Sequence, residues 1–554
     1  MREKNRKPIA SIKKLPQFTT MNVIDGQAGL ISYFSLIFYS LTIDNILNIV
    51  ILIILASVTI SNAFGESGLI EKTKQAQKMT EEAIKNEKEQ LNYLLDNFSN
   101  IMEDADSNME YVAQIGNIKY TTLSNAIDAV PNGEKTIINI IKDFDQEVTA
   151  QIPEEKDIVI DLQNHCITLT TGSILNKGNL EIKSNNELDV GKIIIQNNEY
   201  AGINNNGDLK ISSGTYESTG TNNAVANYGT GTVTISGGKI IGSKIESEKY
   251  PAIWNDASGT IMIEGGTLEA TASALIYNNS DGKVLVNGGN LKSKKDNVID
   301  NNSNGNIIIT NGFMQATEAT TVINSSNGVI EIKGGEIAGS TSEENAWPTV
   351  RNYADGEIII DGGLITGTVE RAIYNGKDGN IVIKDGIMQS TSLNTIGNYG
   401  TGTITILGGE IRGIESAEIS YPTVWNNSNG NIIMNGGIID ATVGNGISTA
   451  INNAGSGNII VTGGIVKSTN YAINNGGTGS ITLGVDDQNI STTTPEIISS
   501  NNSQTIVGKR GTTLNFFDGI IKGGGIQSIL TIVVPEGRTY YKNDSKPLYE
   551  TTLQ

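Results

Sequence analysis

The chain has 554 residues, of which 63 are glycine and 10 are proline, and aromatic residues make up 5%. This composition is typical of a repeat protein with many turns and an aliphatic core. The formal net charge of −20 argues against nonspecific nucleic-acid binding, the single Cys166 excludes an intrachain disulfide, and the single His165 leaves little for histidine-based catalysis.

A basic segment and two apolar segments begin the chain. Residues 1–14 carry six Lys or Arg against one Glu. Residues 28–43 are apolar with Ser and Tyr interruptions, whereas 46–64 are uncharged and nearly as long as the roughly twenty residues that a membrane span requires. The positive-inside rule predicts a basic cytoplasmic tail over 1–27, a hydrophobic membrane segment over 28–65 that spans once at 46–64, and an extracellular remainder at the cell membrane.

Three other interpretations of these apolar segments stay open. Two spans would leave the remainder inside the cell, a helix pair could lie in a soluble core, and a signal peptide could be cleaved. Residues 66–105 are rich in Glu, Lys, Gln and Ala, and Leu91, Leu95, Phe98 and Met102 recur at helical spacing. The pattern predicts a helical stalk there.

The stretch 46–83 is similar to the N-terminal helix of clostridial-type surface proteins with a type IV pilin-like N-terminus. Gly65, Gly68, Leu69 and Ile70 carry this resemblance. It implies a membrane helix that continues into the stalk. Such prepilins carry a Gly-aromatic-Thr-Leu-type processing site, where this chain has NILNIVI. A pilin-like subunit is therefore an alternative function that cleavage near residue 45 would support.

Eleven units repeat along the C-terminal two thirds of the chain. The second residue of a GG-like turn anchors each unit: Gly214, Gly238, Gly266, Gly289, Gly312, Gly335, Gly363, Gly386, Gly409, Gly437 and Gly464. The base period is 23 residues, with insertions of four or five, and another Gly precedes each anchor by seven positions. We expect these glycines at tight turns that need positive φ.

Apolar residues recur in each unit five and three positions before the anchor, two after it, and thirteen before it in the full-length units. Three short apolar segments per 23 residues make a three-sided coil, and stacked coils pair their strands in parallel at roughly 4.8 Å. The sequence thus predicts an all-β fold, a parallel β-helix in which Ile235, Ile263 and Val286 lie directly over one another.

An asparagine stands eleven residues before the anchor in ten units, and Asn204 stands near that place in the first unit. Stacked at one corner, these amides can donate and accept hydrogen bonds along the rod. We expect a structural ladder rather than a polar ligand groove, formed by Asn227, Asn255, Asn278, Asn301, Asn324, Asn352, Asn375, Asn398, Asn426 and Asn453.

Both ends of the rod require caps. Thr122 or Ser124 can begin a short helix that covers the first coil. The opening resembles that of right-handed parallel β-helix domains of the pectin-lyase-like superfamily through Tyr120, Leu123, Ala126, Ile127, Asp161, Leu162, His165 and Thr168. The last coil resembles theirs through Leu514, Phe516, Gly519 and Ile521. The resemblance implies right-handedness, an N-terminal cap with first coils over 106–175, the β-helix over 176–525 and a C-terminal cap over 526–554.

That superfamily includes lyases, hydrolases, tail spikes and adhesins. Its hydrolases use clustered Asp residues on neighbouring coils, but the acids here are isolated or lie beside glycine turns, as Asp256, Asp281, Asp355 and Asp378 do. Arg351 and Arg371 lack an accompanying acid cluster, and His165 near Asp161 fits a solvated or capping role. We predict no catalytic residues, metal or cofactor.

Three inserts carry an aromatic-Pro pair at the same phase of the coil: KIESEKYPAIWN, STSEENAWPTVRN and ESAEISYPTVWN. All three Trp residues of the chain lie in or directly after them, together with acids. Either each aromatic residue fixes its own loop, or aromatic and acidic side chains form a ligand strip. The strip would consist of Tyr250, Trp254, Tyr277, Trp347, Arg351, Tyr374, Tyr421 and Trp425, with Arg351 and Tyr374 in a cation–π pair.

The sequence therefore predicts a membrane-anchored extracellular β-helix protein, adhesin-like or surface-structural. Its expected partners are the membrane and glycans or proteins of a host or neighbouring cell, not nucleic acid. The alternative is a carbohydrate-active enzyme, a polysaccharide lyase or glycoside hydrolase, on the same fold.

Overall fold

The computed structural model describes residues 69–107, 109–185, 190–246, 250–414, 421–443, 447–486, 494–500, 504–543 and 548–553. The chain divides after Asn108 into two compact units. The described part of the first unit is helix α1 (Leu69–Ser107), within which the side chains of 73–96 are exposed. The segment predicted to span the membrane lies outside the described residues. No described helix is long and apolar enough for a membrane span.

The second unit is built from short parallel strands that stack coil upon coil, which confirms the prediction of an all-β parallel β-helix. Each coil contributes three strands in chain order, to surfaces named here face 1, face 2 and face 3. Face 1 has fifteen strands: Ala150–Ile152, Ile174–Asn176, Ile203–Asn205, Val225–Asn227, Ile253–Asn255, Ile276–Asn278, Ile299–Asn301, Val322–Asn324, Val350–Asn352, Ile373–Asn375, Ile396–Asn398, Val424–Asn426, Ile451–Asn453, Ile473–Asn475 and Ile506–Gly508.

Faces 2 and 3 form one continuous sheet. Face 2 contains Lys135–Ile140, Asp157–Asp161, Asn179–Lys183, Asp208–Ile211, Thr232–Ile235, Thr260–Ile263, Ile330–Ile332, Ile404–Ile406, Ile432–Met434, Ile459–Val461, Ile481–Leu483, Thr513–Phe516 and Thr531–Val533. Face 3 contains Phe144–Gln146, Cys166–Leu169, Lys192–Ile195, Thr215–Ser218, Lys239–Ile241, Thr267–Ala270, Glu336–Ala338, Glu410–Ile414, Ile438–Val443, Ile465–Ser468, Glu496–Ser499 and Ile520–Lys522. Four longer strands run through both faces: Lys283–Ser293, Ile307–Ala316, Ile358–Gly367 and Ile381–Ser390.

The core is a set of aliphatic rows along the rod. Ile235 pairs in register with Ile263, and Ile263 with Val286, and all three side chains are fully buried. This confirms the predicted stacking. Because the side chains of a strand alternate between its two sides, the buried aliphatic residues of each strand alternate with residues on its outer side.

The repeated glycines serve two different purposes. The anchor glycines adopt positive φ as predicted, for example 99° at Gly386 and 74° at Gly409. The glycines seven positions earlier do not, so the expectation of positive φ is wrong for them. Gly379, one of these, lies where an added Cβ would be 1.8 Å from the carbonyl oxygen of Gly356 in the preceding coil. Close backbone approach, not φ, therefore requires glycine there.

Both ends of the stack carry non-parallel elements. At the start, the hairpin strands Ala113–Ile115 and Ile118–Tyr120 are antiparallel, and helix α2 (Leu123–Ala129) follows them. Of the two predicted starts of this helix, Thr122 is its N-cap and accepts a hydrogen bond of 3.1 Å from the amide of Asn125. Leu123, Ala126 and Ile127 of α2 are buried in the core.

The C-terminal end is closed by a second hairpin. Strands Arg538–Asn543 and Leu548–Leu553 pair antiparallel, and the latter also pairs antiparallel with Ile520–Lys522 of face 3. An antiparallel strand covers the edge that a further coil would otherwise occupy, so it limits edge-to-edge association.

Thirteen asparagines form a continuous hydrogen-bonded ladder under face 1. The Nδ2 of every ladder asparagine but the last donates to Oδ1 of the asparagine in the next coil at 2.6–2.9 Å. The ladder includes all ten predicted residues and extends to Asn176 and Asn475. In the first unit the ladder residue is Asn205, so Asn204 is a wrong assignment. Asn204 is the middle residue of its strand, and its Nδ2 donates to the Ala201 carbonyl at 3.0 Å.

Candidate ligand-binding surface

The outer surface of face 1 carries the aromatic side chains that the sequence singles out. In most face 1 strands the first and third residues are buried and the middle residue is partly exposed. The residue after the ladder asparagine lies on the same side as the middle residue, because side chains alternate along the strand. Each coil therefore presents two outward positions that flank the ladder.

The middle positions bring Trp254 and Tyr277 together. They are register partners in adjacent coils, and their ring centroids are 5.5 Å apart at an interplanar angle of 50°. Tilted ring pairs at this separation have favourable contacts beyond simple burial.

A larger group lies further along the rod and spans four successive coils. It is named here the arginine–aromatic cluster and consists of Trp347, Arg351, Tyr353, Arg371, Tyr374, Tyr399 and Trp425. The structure brings four residues of the strip suggested by sequence into this cluster. It places Trp254 and Tyr277 apart from it, four and three coils away from Arg351.

Arg351 lies at the centre of one half of the cluster. Its guanidinium carbon is 5.0 Å from the ring centroid of Trp347 and 4.5 Å from that of Tyr353. The ring of Tyr374 in the next coil is 5.5 Å away. Three rings around one guanidinium hold the arginine by cation–π attraction.

Stacked rings form the other half. The ring centroids of Tyr374 and Tyr399 lie 5.0 Å apart with 27° between the ring planes. The centroids of Tyr399 and Trp425 lie 5.6 Å apart in an edge-on arrangement. Arg371 lies 5.3 Å from the Tyr399 ring centroid, and its Nη2 donates to the Tyr399 hydroxyl at 2.7 Å. The rings thus make a continuous surface over adjacent coils.

Two glycines leave room for these rings. A Cβ on Gly376 would lie 2.9 Å from Cε1 of Tyr374, and one on Gly397 would lie 2.9 Å from Cδ of Arg371. In each of these two coils, a tyrosine at one of the two outward positions is therefore accompanied by a glycine at the other. Sequence reasoning missed Tyr353 and Tyr399, although this pairing of Tyr with Gly at two outward positions is the signal that could have identified Tyr399.

The two arginines differ in charge balance. Arg371 forms an ion pair with Glu370. Arg351 has no carboxylate partner within the part of the chain that the structure describes, and its Nε is buried without a hydrogen bond. The cluster therefore combines exposed ring faces, including Trp347 at 41% exposure, with one cation that has no carboxylate partner among the described side chains.

The inserts contribute unequally. Glu246 pairs with Lys295, two coils further along, at 2.7 Å, and Glu343 and Glu344 are exposed. The remaining acids of the first and third inserts lie outside the described residues. Tyr250 lines a groove beside Trp254, whereas the Tyr421 carbonyl accepts a hydrogen bond of 3.5 Å from Ser448.

Asp300 holds the outward position between Tyr277 and Ile323. Burial raises the pKa of Asp300 to about 6, against the opposing effect of the hydrogen bond from Asn297, and the Asp296 carboxylate raises it further. An unfolded aspartate titrates near a pKa of about 3.9. The folded state therefore binds the proton more tightly, and the stability due to neutral Asp300 is lost as the pH rises from about 4 through about 6.

Asp300→Asn is expected to raise the free energy of unfolding at pH 7 by about 2 kcal/mol and to change it little at pH 4, because the amide stays neutral at both. Guanidinium denaturation at the two pH values measures this difference. The exposed Asp355, changed to Asn, is the control and should show no such pH dependence. Equal effects of Asp300→Asn at both pH values would contradict a buried carboxyl.

Acidic and histidine side chains elsewhere are dispersed. His165 Nδ1 lies 3.0 Å from Asp143 Oδ1, which also accepts from the Cys166 amide at 3.0 Å, so the partner of His165 is Asp143 rather than Asp161. Within the described ranges, no three His, Cys, Asp or Glu side chains gather in a way that could hold a metal ion. The arrangement on face 1 is suited to stacking and ion pairing with a bound molecule.

Comparison of the chain with protein-family models, with curated proteins and with solved structures found no match.

Proposed function

We propose that this chain is a membrane-anchored, adhesin-like surface protein whose β-helix binds glycans through the arginine–aromatic cluster. The observation that carries the proposal is the cluster itself: stacked, partly exposed rings on adjacent coils beside an arginine that no carboxylate of the described ranges pairs with. Ring faces take up the apolar C–H faces of sugars, and a guanidinium donates to hydroxyl or carboxylate oxygens.

The spacing of the cluster supports an extended ligand. Tyr374, Tyr399 and Trp425 come from three successive coils, and adjacent coils are roughly 4.8 Å apart. A chain of sugar rings laid along the rod would meet a new aromatic side chain about once per ring. This favours an oligosaccharide over a single sugar.

The anchoring part of the proposal comes from the sequence. An uncharged run at 46–64 follows a basic tail, and a helical stalk leads to the β-helix. We also propose right-handed coiling of pectin-lyase-like type, on the resemblance of the first and last coils. Such a protein would hold its binding face outside the cell.

Replacing Trp347, Arg351 and Trp425 together with Ala is expected to weaken glycan binding by at least about tenfold, since each lost ring contact contributes roughly 0.5–1.5 kcal/mol. The measurement is binding of the full chain, in a detergent without sugar groups, to a glycan array. Tyr93→Ala with Tyr541→Ala removes exposed rings elsewhere and is the matched control.

Two results would contradict the proposal. One is unchanged binding by a triple variant with a normal unfolding transition. The other is turnover of a bound glycan, which would favour the carbohydrate-active enzyme instead.

A further inference from the structure

A groove of about 340 Å³ lies beside face 1 near its N-terminal end. Its walls include Glu199, Tyr200, Tyr228, Tyr250, Trp254 and Asp256. Binding sites for small molecules have volumes of roughly 300–1,000 Å³, so the groove can take a small organic group. It is separated from the arginine–aromatic cluster by four coils, roughly 19 Å.

The described side chains of this groove carry negative charge. Two carboxylates line it, and no Lys or Arg does among the residues that the structure describes. Neither Glu199 nor Asp256 has an ion-pair partner among the side chains that the structure describes. Asp256 is held in place because its Oδ1 accepts a hydrogen bond of 2.8 Å from Nδ2 of Asn279 in the next coil. The groove thus offers a fixed carboxylate that no described cation neutralises.

Four aromatic rings accompany these carboxylates. Tyr200 and Tyr228 are about half exposed, at 53% and 49%, whereas Trp254 is held against Tyr277. Burial raises the pKa of Tyr228, and Asp256 and Tyr250 raise it further, so this phenol stays neutral at physiological pH. Neutral rings beside carboxylates are the surroundings that favour an organic cation.

We propose that this groove is a binding site for an organic ammonium group, which the rings contact by cation–π attraction and Glu199 and Asp256 neutralise. Ammonium groups on alkyl chains keep less water than small metal ions, so aromatic walls can replace much of their hydration. The chemistry is opposite to that of the arginine–aromatic cluster, whose own cation would repel such a ligand. The site therefore neither requires the proposed glycan binding nor depends on it.

Isothermal titration of the full chain, kept in a non-ionic detergent, with three probes tests the proposal. Choline presents a quaternary ammonium, Nα-acetyl-lysine methylamide presents a primary one, and 3,3-dimethyl-1-butanol has the shape of choline without charge. At least one cation is expected to bind at least tenfold more tightly than the neutral alcohol. Trp254→Leu and the double change Glu199→Gln with Asp256→Asn should each weaken the binding of that cation by about tenfold.

Asp355→Asn removes an exposed acid four coils away and controls for net charge, so its affinity should equal that of the unchanged chain. Preference for choline over the lysine derivative would identify a quaternary ligand, and the reverse preference a peptide side chain. The proposal is overturned if no cation binds below 10 mM, a limit of about 2.7 kcal/mol. Equal binding of the neutral alcohol, or equal loss in Asp355→Asn, would overturn it as well.

Discussion

Asn352→Ala is expected to lower the free energy of unfolding by about 4 kcal/mol, because it breaks the asparagine ladder in its middle. The Asn352 side chain is fully buried and its Oδ1 accepts from Asn324 at 2.9 Å. Its Nδ2 contacts the Asn375 Oδ1 at 2.8 Å and the carbonyl oxygens of Ala354 and Gly356 at 2.6 Å each. Alanine would leave several of these buried groups without partners, and each such group costs about 1–3 kcal/mol.

Guanidinium denaturation followed by circular dichroism measures the effect. Asn427→Ala is the matched control, because this asparagine is exposed and follows the ladder residue Asn426 in its coil. The control should change the free energy of unfolding by less than about 0.5 kcal/mol. Equal, small effects of both variants would mean that the ladder adds little stability.

Gly379→Ala is expected to lower the free energy of unfolding by at least about 3 kcal/mol, although it adds only one methyl group. An added Cβ would lie 1.8 Å from the Gly356 carbonyl oxygen and 2.6 Å from Nδ2 of Asn352. Backbone in the preceding coil cannot move away without breaking its own ladder contacts. The coils would therefore separate locally at this corner.

Gly476→Ala provides the matched control on the same corner. The nearest atom to its added Cβ is the Asn453 carbonyl oxygen at 3.7 Å, an ordinary contact, and its φ is not positive. Thermal unfolding of the two variants should give a markedly lower Tm for Gly379→Ala alone. If Gly476→Ala lowers Tm as much, loss of glycine flexibility rather than steric conflict would be the cause.

The β-helix could be predicted from sequence because its determinants repeat. Period-2 alternation and a 23-residue period specify which side chains face inward, and the register follows from stacking equal units. The pairing of Ile235 with Ile263 and Val286 is a direct consequence. Inserts do not disturb this register, since they lie between strands.

Atomic contacts between coils were harder to predict. Counting back from the anchor favours Asn204 in the first unit, yet alternation within the three-residue strand places Asn205 in the ladder. Asn205 precedes Gly207 by two positions, whereas Asn227 precedes Gly231 by four. From sequence, the glycines seven positions before the anchors are indistinguishable from turn residues. These positions require glycine because a carbonyl of the preceding coil lies against the Cα, and this contact exists only once two coils are stacked.

The candidate surface was predictable only in part. Trp347, Arg351 and Trp425 stand out by residue type and by their position in or directly after inserts, and Tyr374 stands at the same place in its unit as Arg351. Tyr399 joins them because Gly397 leaves space for its ring and for Arg371, a relation between residues on adjacent coils. The groove at Trp254 likewise combines Glu199, Tyr228 and Tyr250 from loops of different coils, which no single repeat reveals.

Cysteine cross-linking between coils tests the in-register stacking most directly. Glu331 and Ile359 are register partners at outward positions of face 2, and Val382 is the next partner of Ile359. Adjacent parallel strands lie about 4.8 Å apart, within the Cα range of a disulfide, whereas strands two coils apart lie at about 9.6 Å, beyond that range. In a Cys166→Ser background, Glu331→Cys with Ile359→Cys should oxidise to a disulfide in nearly every molecule, and Glu331→Cys with Val382→Cys in almost none. Failure of the first pair to cross-link, or equal cross-linking of both, would contradict the stacked coils and every surface assigned on them.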